Sequence, residues 1–293
     1  MLAAIPYFAL GVYNLQVPGL GSLPIDPWAT LVAIGFVVAL ELARHRGLRM
    51  GIDPRDVVDG AVFIAVSAFF MAHVVTVLAY HPERLAEDGI WSLLKVWEGF
   101  SSYGGFLGAI LATVIFFRWI RPRPFWRFAD LIAFGFPFGW LFGRMGCSVV
   151  HDHVGKKTDF FLAMDFDHGL FGAGDPAPWA DGVRHELGMY EAMFMVPVAA
   201  AFWLLGRKDR PPGFFAGLFA VVYAPVRFGL DELRNTDLAW ADARYYGLTP
   251  GQYGSLLLFL AGAAVLATRD WRGFRPWALD GSPEQGEPRG AEE

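Results

Sequence analysis

Apolar runs of membrane length recur along this chain, at residues 28–42, 58–79, 104–120, 131–150, 189–205, 214–230 and 252–267. A spanning helix needs about 17–25 mostly apolar residues, because backbone amides in hydrocarbon must bond within their own segment. The first and last runs are short and reach that length with a further turn or a tilt. An all-α integral membrane protein of seven transmembrane helices is therefore expected. With 55% apolar and 16% aromatic residues, the chain is too apolar for an ordinary soluble domain.

Charge orients the runs. Arg44, Arg46, Arg49 and Arg55 follow the first, and Arg118, Arg121, Arg123 and Arg127 follow the third. Arg207, Lys208 and Arg210 follow the fifth, and Arg269, Arg272, Arg275 and Arg289 follow the last. These 15 of the 24 Lys and Arg fall on one side, which the positive-inside rule makes cytoplasmic. The N-terminus is then outside and the C-terminus inside. Longer, more acidic loops (residues 80–103, 151–188 and 231–251) face outward. One membrane domain over residues 1–268 is expected, with residues 151–188 as an outer-face cap loop. Residues 1–15 are read as lying in the membrane interface. Residues 269–293, rich in Gly, Pro and Glu, read as a disordered cytoplasmic tail. No basic stripe or binding motif suggests nucleic acid. The single cysteine, Cys147, excludes an intrachain disulfide and any multi-cysteine metal site.

The chemistry concentrates in residues 130–155, where an apolar run carries Arg144 in its second half. A guanidinium at membrane depth costs about 2.5–3.5 kcal/mol or more and needs a carboxylate, a carbonyl or an anionic ligand. Tyr223 and Arg227 lie four apart in the sixth run and so share a helix face, with Asp231 placed to pair with Arg227. Two arginines from different helices meeting at one depth would form an anion site, since the planar guanidinium donates two parallel hydrogen bonds to phosphate. The structural reading, each arginine paired with a local acid such as Asp152 or Asp231, stands level with it. Cys147 with His151, Asp152 and His153 offers metal donors in principle. Their spacing matches no strong zinc pattern, so no metal is expected. His73 reads first as a hydrogen-bonded interior histidine. Tyr103 reads as an interfacial anchor or a hydrogen-bond donor.

Over roughly residues 22–268 these residues resemble the prolipoprotein diacylglyceryl transferase family. Trp28, with Ile34-Gly35-Phe36, resembles the family's first span, where the aromatic is usually tyrosine. Tyr103-Gly104-Gly105-Phe106-Leu107-Gly108 resembles its His-Gly-Gly segment. The stretch from Asp130-Leu131-Ile132 through Pro137, Gly139 and Gly143-Arg144-Met145-Gly146 resembles its signature segment. His185 with Tyr190-Glu191, Tyr223 with Arg227, Arg234 and Asp237, and Gly247-Leu248-Thr249 with Gly251-Gln252 follow in the family's order. Arg144, Gly155, Tyr223 and Arg227 match. Elsewhere the chain departs from the pattern. Tyr103 stands for a histidine, Cys147 and Val150 for asparagines, His151 for a glycine and His73 for an arginine. Asp152 and Asp231 stand where the acid is usually glutamate.

The resemblance implies an enzyme of the bacterial cytoplasmic membrane that moves a diacylglyceryl group from phosphatidylglycerol, or a related anionic phospholipid, to a lipobox cysteine of a secreted lipoprotein precursor. It implies no cofactor, and a monomer is expected. Carried over residue by residue, Arg144, Arg227, Tyr103 and Tyr223 are the catalytic candidates. Arg144, Gly104, Gly105, Cys147, Asp152, Gly155, Asp231 and Trp28 are the substrate-binding ones. The thiol needs a base, and a phenol at Tyr103 is a poor one near pH 7. His151, His153 or His73 can substitute, or the arginine pair can favour the thiolate by its field. The departures also leave open a membrane enzyme of the same scaffold with another lipid or acceptor, and a non-catalytic lipid-binding paralogue.

Overall fold

A computed structural model describes residues 4–8, 10–19, 21–80, 82–95, 99–169, 180–238, 241–242 and 244–268. The tail from residue 269 lies outside them. Long helices occupy every expected apolar run: α1 (Pro27–Arg49), α2 (Pro54–Val75), a shorter α3 (Pro82–Asp88) in the loop, α4 (Ser102–Ile115), α5 (Phe125–Val150), α6 (Leu187–Leu205), α7 (Phe214–Glu232) and α8 (Pro250–Thr268). Wider π-turns extend α2 through Thr76–Tyr80 and α4 through Phe116–Ile120. Five helices are long and apolar enough to cross a membrane: α1, α2 to Leu78, α6, α7 and α8. Gly104–Ile120 is a shorter apolar helix, and α5 is 26 residues long. The chain is thus a mostly helical membrane protein.

Helix starts follow local chemistry. Asp26 caps α1 by accepting from the Ala29 amide at 2.7 Å, with Pro27 in the first turn. Thr249 and Gln252 form a reciprocal capping box at α8: Gln252 N donates to Thr249 Oγ1 (3.1 Å) and Thr249 N donates to Gln252 Oε1 (3.0 Å). Pro137, Pro197 and Pro225 sit inside α5, α6 and α7, as neighbouring helices in a membrane bundle permit.

The helices alternate in direction. At one end Arg46 of α1 donates to the Gly206 carbonyl just after α6 (2.7 Å), and Arg121 and Arg123 after α4 bind the buried Asp56 of α2. Asp130 of α5 accepts from the Ala216 amide at the start of α7, filling an otherwise unmet helix donor. Three of the four expected basic clusters contribute to this end.

The sequence reading of an all-α chain needs one correction. Strands β1 (Ile5–Tyr7), β4 (Val154–Lys157), β5 (Met164–Gly169) and β6 (Val183–Glu186) form a four-stranded sheet in the order β1-β5-β6-β4. A separate hairpin joins β2 (Tyr13–Val17) to β3 (Gly21–Ile25). These strands are too short to show against the helical runs. The segment expected as a cap loop therefore contributes three of the sheet's strands, and the N-terminal segment supplies the parallel edge strand. Tyr7, Val154, Met164, Phe166 and Ala180 form the sheet's own core. Arg184, fully buried in β6, ties the sheet to the segment after α7 through a two-point ion pair with Asp237 (2.9 and 2.6 Å).

Helix α5 is central, packed on α1, α6 and α7. Its contact with α1 is made by glycines: a Cβ added at Gly35 would lie 2.5 Å from the Gly139 carbonyl oxygen, and one at Gly139 would lie 2.8 Å from that of Gly35. Small residues let backbones approach where apolar side chains gain nothing over lipid. Gly35→Leu is expected to force α1 away from α5 and to destabilise the protein by about 1–3 kcal/mol or more. A lowered thermal midpoint in detergent checks this; an unchanged one would show that the contact is not needed.

Candidate functional site

The two arginines approach one buried carboxylate, Glu191, in the first turns of α6. Arg144 Nε lies 2.9 Å from Glu191 Oε1, and Arg227 Nη1 lies 4.0 Å from Oε2. The same carboxylate accepts from Trp140 Nε1 (2.8 Å) and from the Tyr223 hydroxyl (2.5 Å). Trp140, one turn before Arg144 on α5, also lays its ring 4.6 Å from the guanidinium carbon. Arg227 makes the i,i+4 pair with Asp231 at 2.8 Å, as its spacing suggests. Asp231 in turn accepts from the Thr249 hydroxyl that caps α8. Four helices thus fix two cations around one acid.

This arrangement alters the local-acid reading. Arg144 pairs with Glu191, which is far away in sequence, and not with Asp152. Glu191 stands beside Tyr190 in the family-like segment but is not among the expected site residues. An acid at the start of an apolar helix was the available signal.

The cations are not saturated. Arg227 Nη1 is buried without a hydrogen-bond partner, and Arg144 Nε is close to Glu191 but poorly aligned for a hydrogen bond. Both arginines line a cavity of about 1040 Å³ that runs down between α4, α5, α7 and α8. Arg144, His153, Tyr223, Arg227, Asp231 and Arg234 stand at its polar end, beside Gly99, Phe100 and Ser101. Below them the walls are apolar, with Leu107, Ile110, Phe136, Phe219, Leu257 and Leu258. A cavity of this shape takes an anionic head with long apolar chains.

The other expected site residues divide. Tyr103 lies in the first turn of α4, and its side chain is outside the described residues. Gly104 serves packing: an added Cβ would lie 2.6 Å from the Met71 carbonyl oxygen, so it sets the approach of α4 to α2. Gly105 meets only Ala72, at 3.9 Å. Gly155 packs β4 against the segment after α7, where a Cβ would come within 2.6 Å of the Leu233 carbonyl oxygen. Trp28 covers Gly146, at 3.1 Å from where its Cβ would be, and reaches the Cys147 side chain. Cys147 is buried with Sγ 3.7 Å from Arg144 Nη1. Gly104, Gly105, Gly155, Trp28, Cys147 and Asp152 do not line the cavity.

The histidines separate as well. His151 ends α5 in the left-handed conformation (φ 53°), where glycine is usual, and its ring is buried against Tyr7, Phe8 and Phe166. It bonds the Phe8 carbonyl. His73 is fully buried, with its ring nitrogens facing the Ser92 (2.8 Å) and Gly99 (3.2 Å) carbonyls, which is the expected interior role. His185 meets the Tyr190 hydroxyl away from the cavity. Among the described histidines His153 stands at the arginines: Nε2 is 3.0 Å from Arg144 Nη1, and Nδ1 bonds Asp152. Burial first, then the Arg144 charge, hold its imidazole below the ordinary range. Burial works to raise the Asp152 carboxyl, but His153 and Arg144 outweigh it and hold it low. Glu186, buried at the cap of α6, is pushed up to about 8 by burial and is largely protonated at pH 7.

Cys147, Asp152 and His153 bring possible ligand atoms within 4.8 Å of one another. Both nitrogens of His153 are engaged, one by a guanidinium, so a metal there would have to displace Asp152 or Arg144. The cluster fits a proton relay better than an ion.

A family profile described as prolipoprotein diacylglyceryl transferase matches residues 17–268. Relatives carrying the name phosphatidylglycerol–prolipoprotein diacylglyceryl transferase are similar over most of their length. The one from Solidesulfovibrio magneticus is 34% identical, covering 85% of this chain and 92% of the relative. That from Erythrobacter litoralis is 33% identical, covering 84% and 86%. A third, from Chromohalobacter salexigens, is 30% identical, covering 84% and 88%.

Proposed function

The chain belongs to the prolipoprotein diacylglyceryl transferase family, and from that premise we propose that it is a phosphatidylglycerol:prolipoprotein diacylglyceryl transferase whose Arg144 and Arg227 hold the lipid phosphate. The observation that carries this is the pair of arginines, unsaturated and facing one buried acid, at the polar end of an apolar cavity. The acyl chains lie in the cavity and the phosphate meets the guanidinium forks. The precursor cysteine attacks the glyceryl carbon, a thioether forms, and glycerol 1-phosphate leaves. Fixed cations in a site sheltered from water stabilise the negative charge gathering on that phosphate. Glu191 and Asp231 hold the cations in place beforehand, and Tyr223 acts by fixing Glu191. Tyr103, beside the cavity-lining Phe100 and Ser101, is proposed to donate to the headgroup. Gly104, Gly105, Gly155, Trp28 and Cys147 act by shaping the walls, and Asp152 acts on His153.

In the same reading the seven long helices span the bacterial inner membrane. The basic loops are cytoplasmic, the N-terminus is outside and the C-terminus inside. Residues 1–268 form the membrane domain, with 151–188 as its outer cap, and 269–293 form a cytoplasmic tail. Secreted lipoprotein precursors reach the site beneath that cap. One chain carries both arginines and their acids, which supports a monomer as the working unit. A second reading, another anionic lipid or acceptor on the same scaffold, is favoured by Cys147, a weak acceptor set 3.7 Å from Arg144.

Expression in a bacterium depleted of its own transferase separates the two readings. Growth is expected to return, with diacylglyceryl on precursor cysteines and phosphatidylglycerol consumed by mass spectrometry. No rescue, together with turnover of a different lipid, would overturn the first reading.

A further inference from the structure

We propose that His153, oriented by Asp152, is the base that takes the proton from the acceptor cysteine, in a dyad placed directly against the phosphate-binding Arg144. This rests on the transferase reading above. Among the described residues, the other histidines near the site are committed to the fold: His151 to the sheet core and the Phe8 carbonyl, His73 to two backbone carbonyls, and His185 to Tyr190. Of the described histidines, His153 lines the cavity.

Its hydrogen bonds fix its form. Asp152 carries only acceptors, so His153 Nδ1 holds the proton and donates to it. Nε2 therefore keeps its lone pair, and that lone pair faces Arg144 Nη1 at 3.0 Å, where a guanidinium can only donate. The imidazole is neutral and basic at the nitrogen nearest the cavity. The groups around it are Asp152, Arg144 from α5, Arg234 from the segment after α7, and the Cys147 thiol. Burial first, and then the two cations, keep it unprotonated until a substrate proton arrives.

An incoming phosphate draws Arg144 onto its oxygens and frees His153 Nε2. The acceptor S–H proton passes to Nε2. The thiolate forms a C–S bond to the glyceryl carbon as the C–O bond breaks, and the electron pair leaves on the phosphate oxygen. The new phosphate monoester then carries the proton away. Lipid binding before thiol activation follows from this order, because the base is occupied until the phosphate arrives. Asp152 is a positioning residue.

The test uses the full chain in detergent with phosphatidylglycerol and a lipobox peptide. His153→Gln keeps an acceptor for Arg144 while removing the base. Its kcat is expected to fall about 10²–10⁴-fold, the range for losing a general base, with the KM for lipid little changed. In the wild type the rate should fall at acid pH because protonated His153 cannot accept, with the limb below the ordinary imidazole value of about 6.5, since burial first and then Arg144 hold this imidazole down. The variant should lack that limb. Its deficit should shrink above about pH 8.5, where the peptide thiol ionises unaided. Asp152→Asn should lower kcat and Asp152→Glu should restore it, whereas His168→Gln, at an exposed side chain of β5, should change nothing. A His153→Gln enzyme with wild-type kcat and pH profile would overturn the base while leaving the transferase reading intact. A wild-type enzyme killed by a chelator and restored by zinc would also overturn it, in favour of a metal at Cys147, Asp152 and His153. A wild-type chain that transfers nothing from phosphatidylglycerol would overturn both readings.

Discussion

Arg144→Ala is expected to abolish diacylglyceryl transfer, and Arg227→Ala to do the same, each lowering kcat/KM by about 10³-fold or more. The estimate follows from what the arginines do. Removing one preorganised donor from a site that stabilises developing negative charge costs about 10²–10³-fold, and each guanidinium offers the phosphate more than one donor. Arg144 is 3% exposed, so water cannot replace it easily. Lysine at either position should recover only a fraction, because a point charge cannot reproduce the fork. Transfer assays in membranes with labelled phosphatidylglycerol measure this, with the amount of folded protein checked in parallel. Undiminished transfer in both alanine variants would remove the arginine pair from the mechanism.

Glu191→Leu is expected to be as damaging, through the fold. Four groups depend on this carboxylate: Arg144, Arg227, Trp140 and Tyr223. Deleting one partner of a buried ion pair leaves uncompensated charge and costs about 3–5 kcal/mol. Two guanidinium groups would then repel each other without an acid between them. Glu191→Gln keeps an acceptor for Trp140 and Tyr223, so it should lose less stability and still lose activity. Thermal unfolding in detergent separates the two variants. A Glu191→Leu protein that melts like the wild type would show that Asp231 and the cavity alone can hold the arginines.

Part of this arrangement is legible in the residues themselves. Arg227 and Asp231 pair as their four-residue spacing requires, since an α-helix places such residues on one face. The apolar runs became helices, though α1 continues to Arg49, well past the expected 42, and α5 starts at Phe125, before the expected 131. Asp26 and Thr249 set helix starts through local capping. The sheet was not legible, because strands of three to six residues leave little periodicity and β1 pairs with a strand more than 150 residues away. Gly104 and Gly155 matched the family pattern as glycines, but sequence could not tell packing from ligand contact. The backbone that a missing Cβ would strike belongs in each case to a distant segment.

By itself the sequence determined that this chain enters a membrane as a bundle of helices, two of which carry Arg144 and Arg227. Those conclusions follow from the cost of bare amides and charges in hydrocarbon, which acts on each segment separately. Only the tertiary structure decided that both arginines converge on Glu191, and that of two histidines two residues apart, one is structural and the other faces the site. The left-handed turn at His151 drives its ring into the sheet and brings His153 back to Arg144. Such partnerships depend on where a chain reversal and three other helices place their side chains, and no local pattern encodes that.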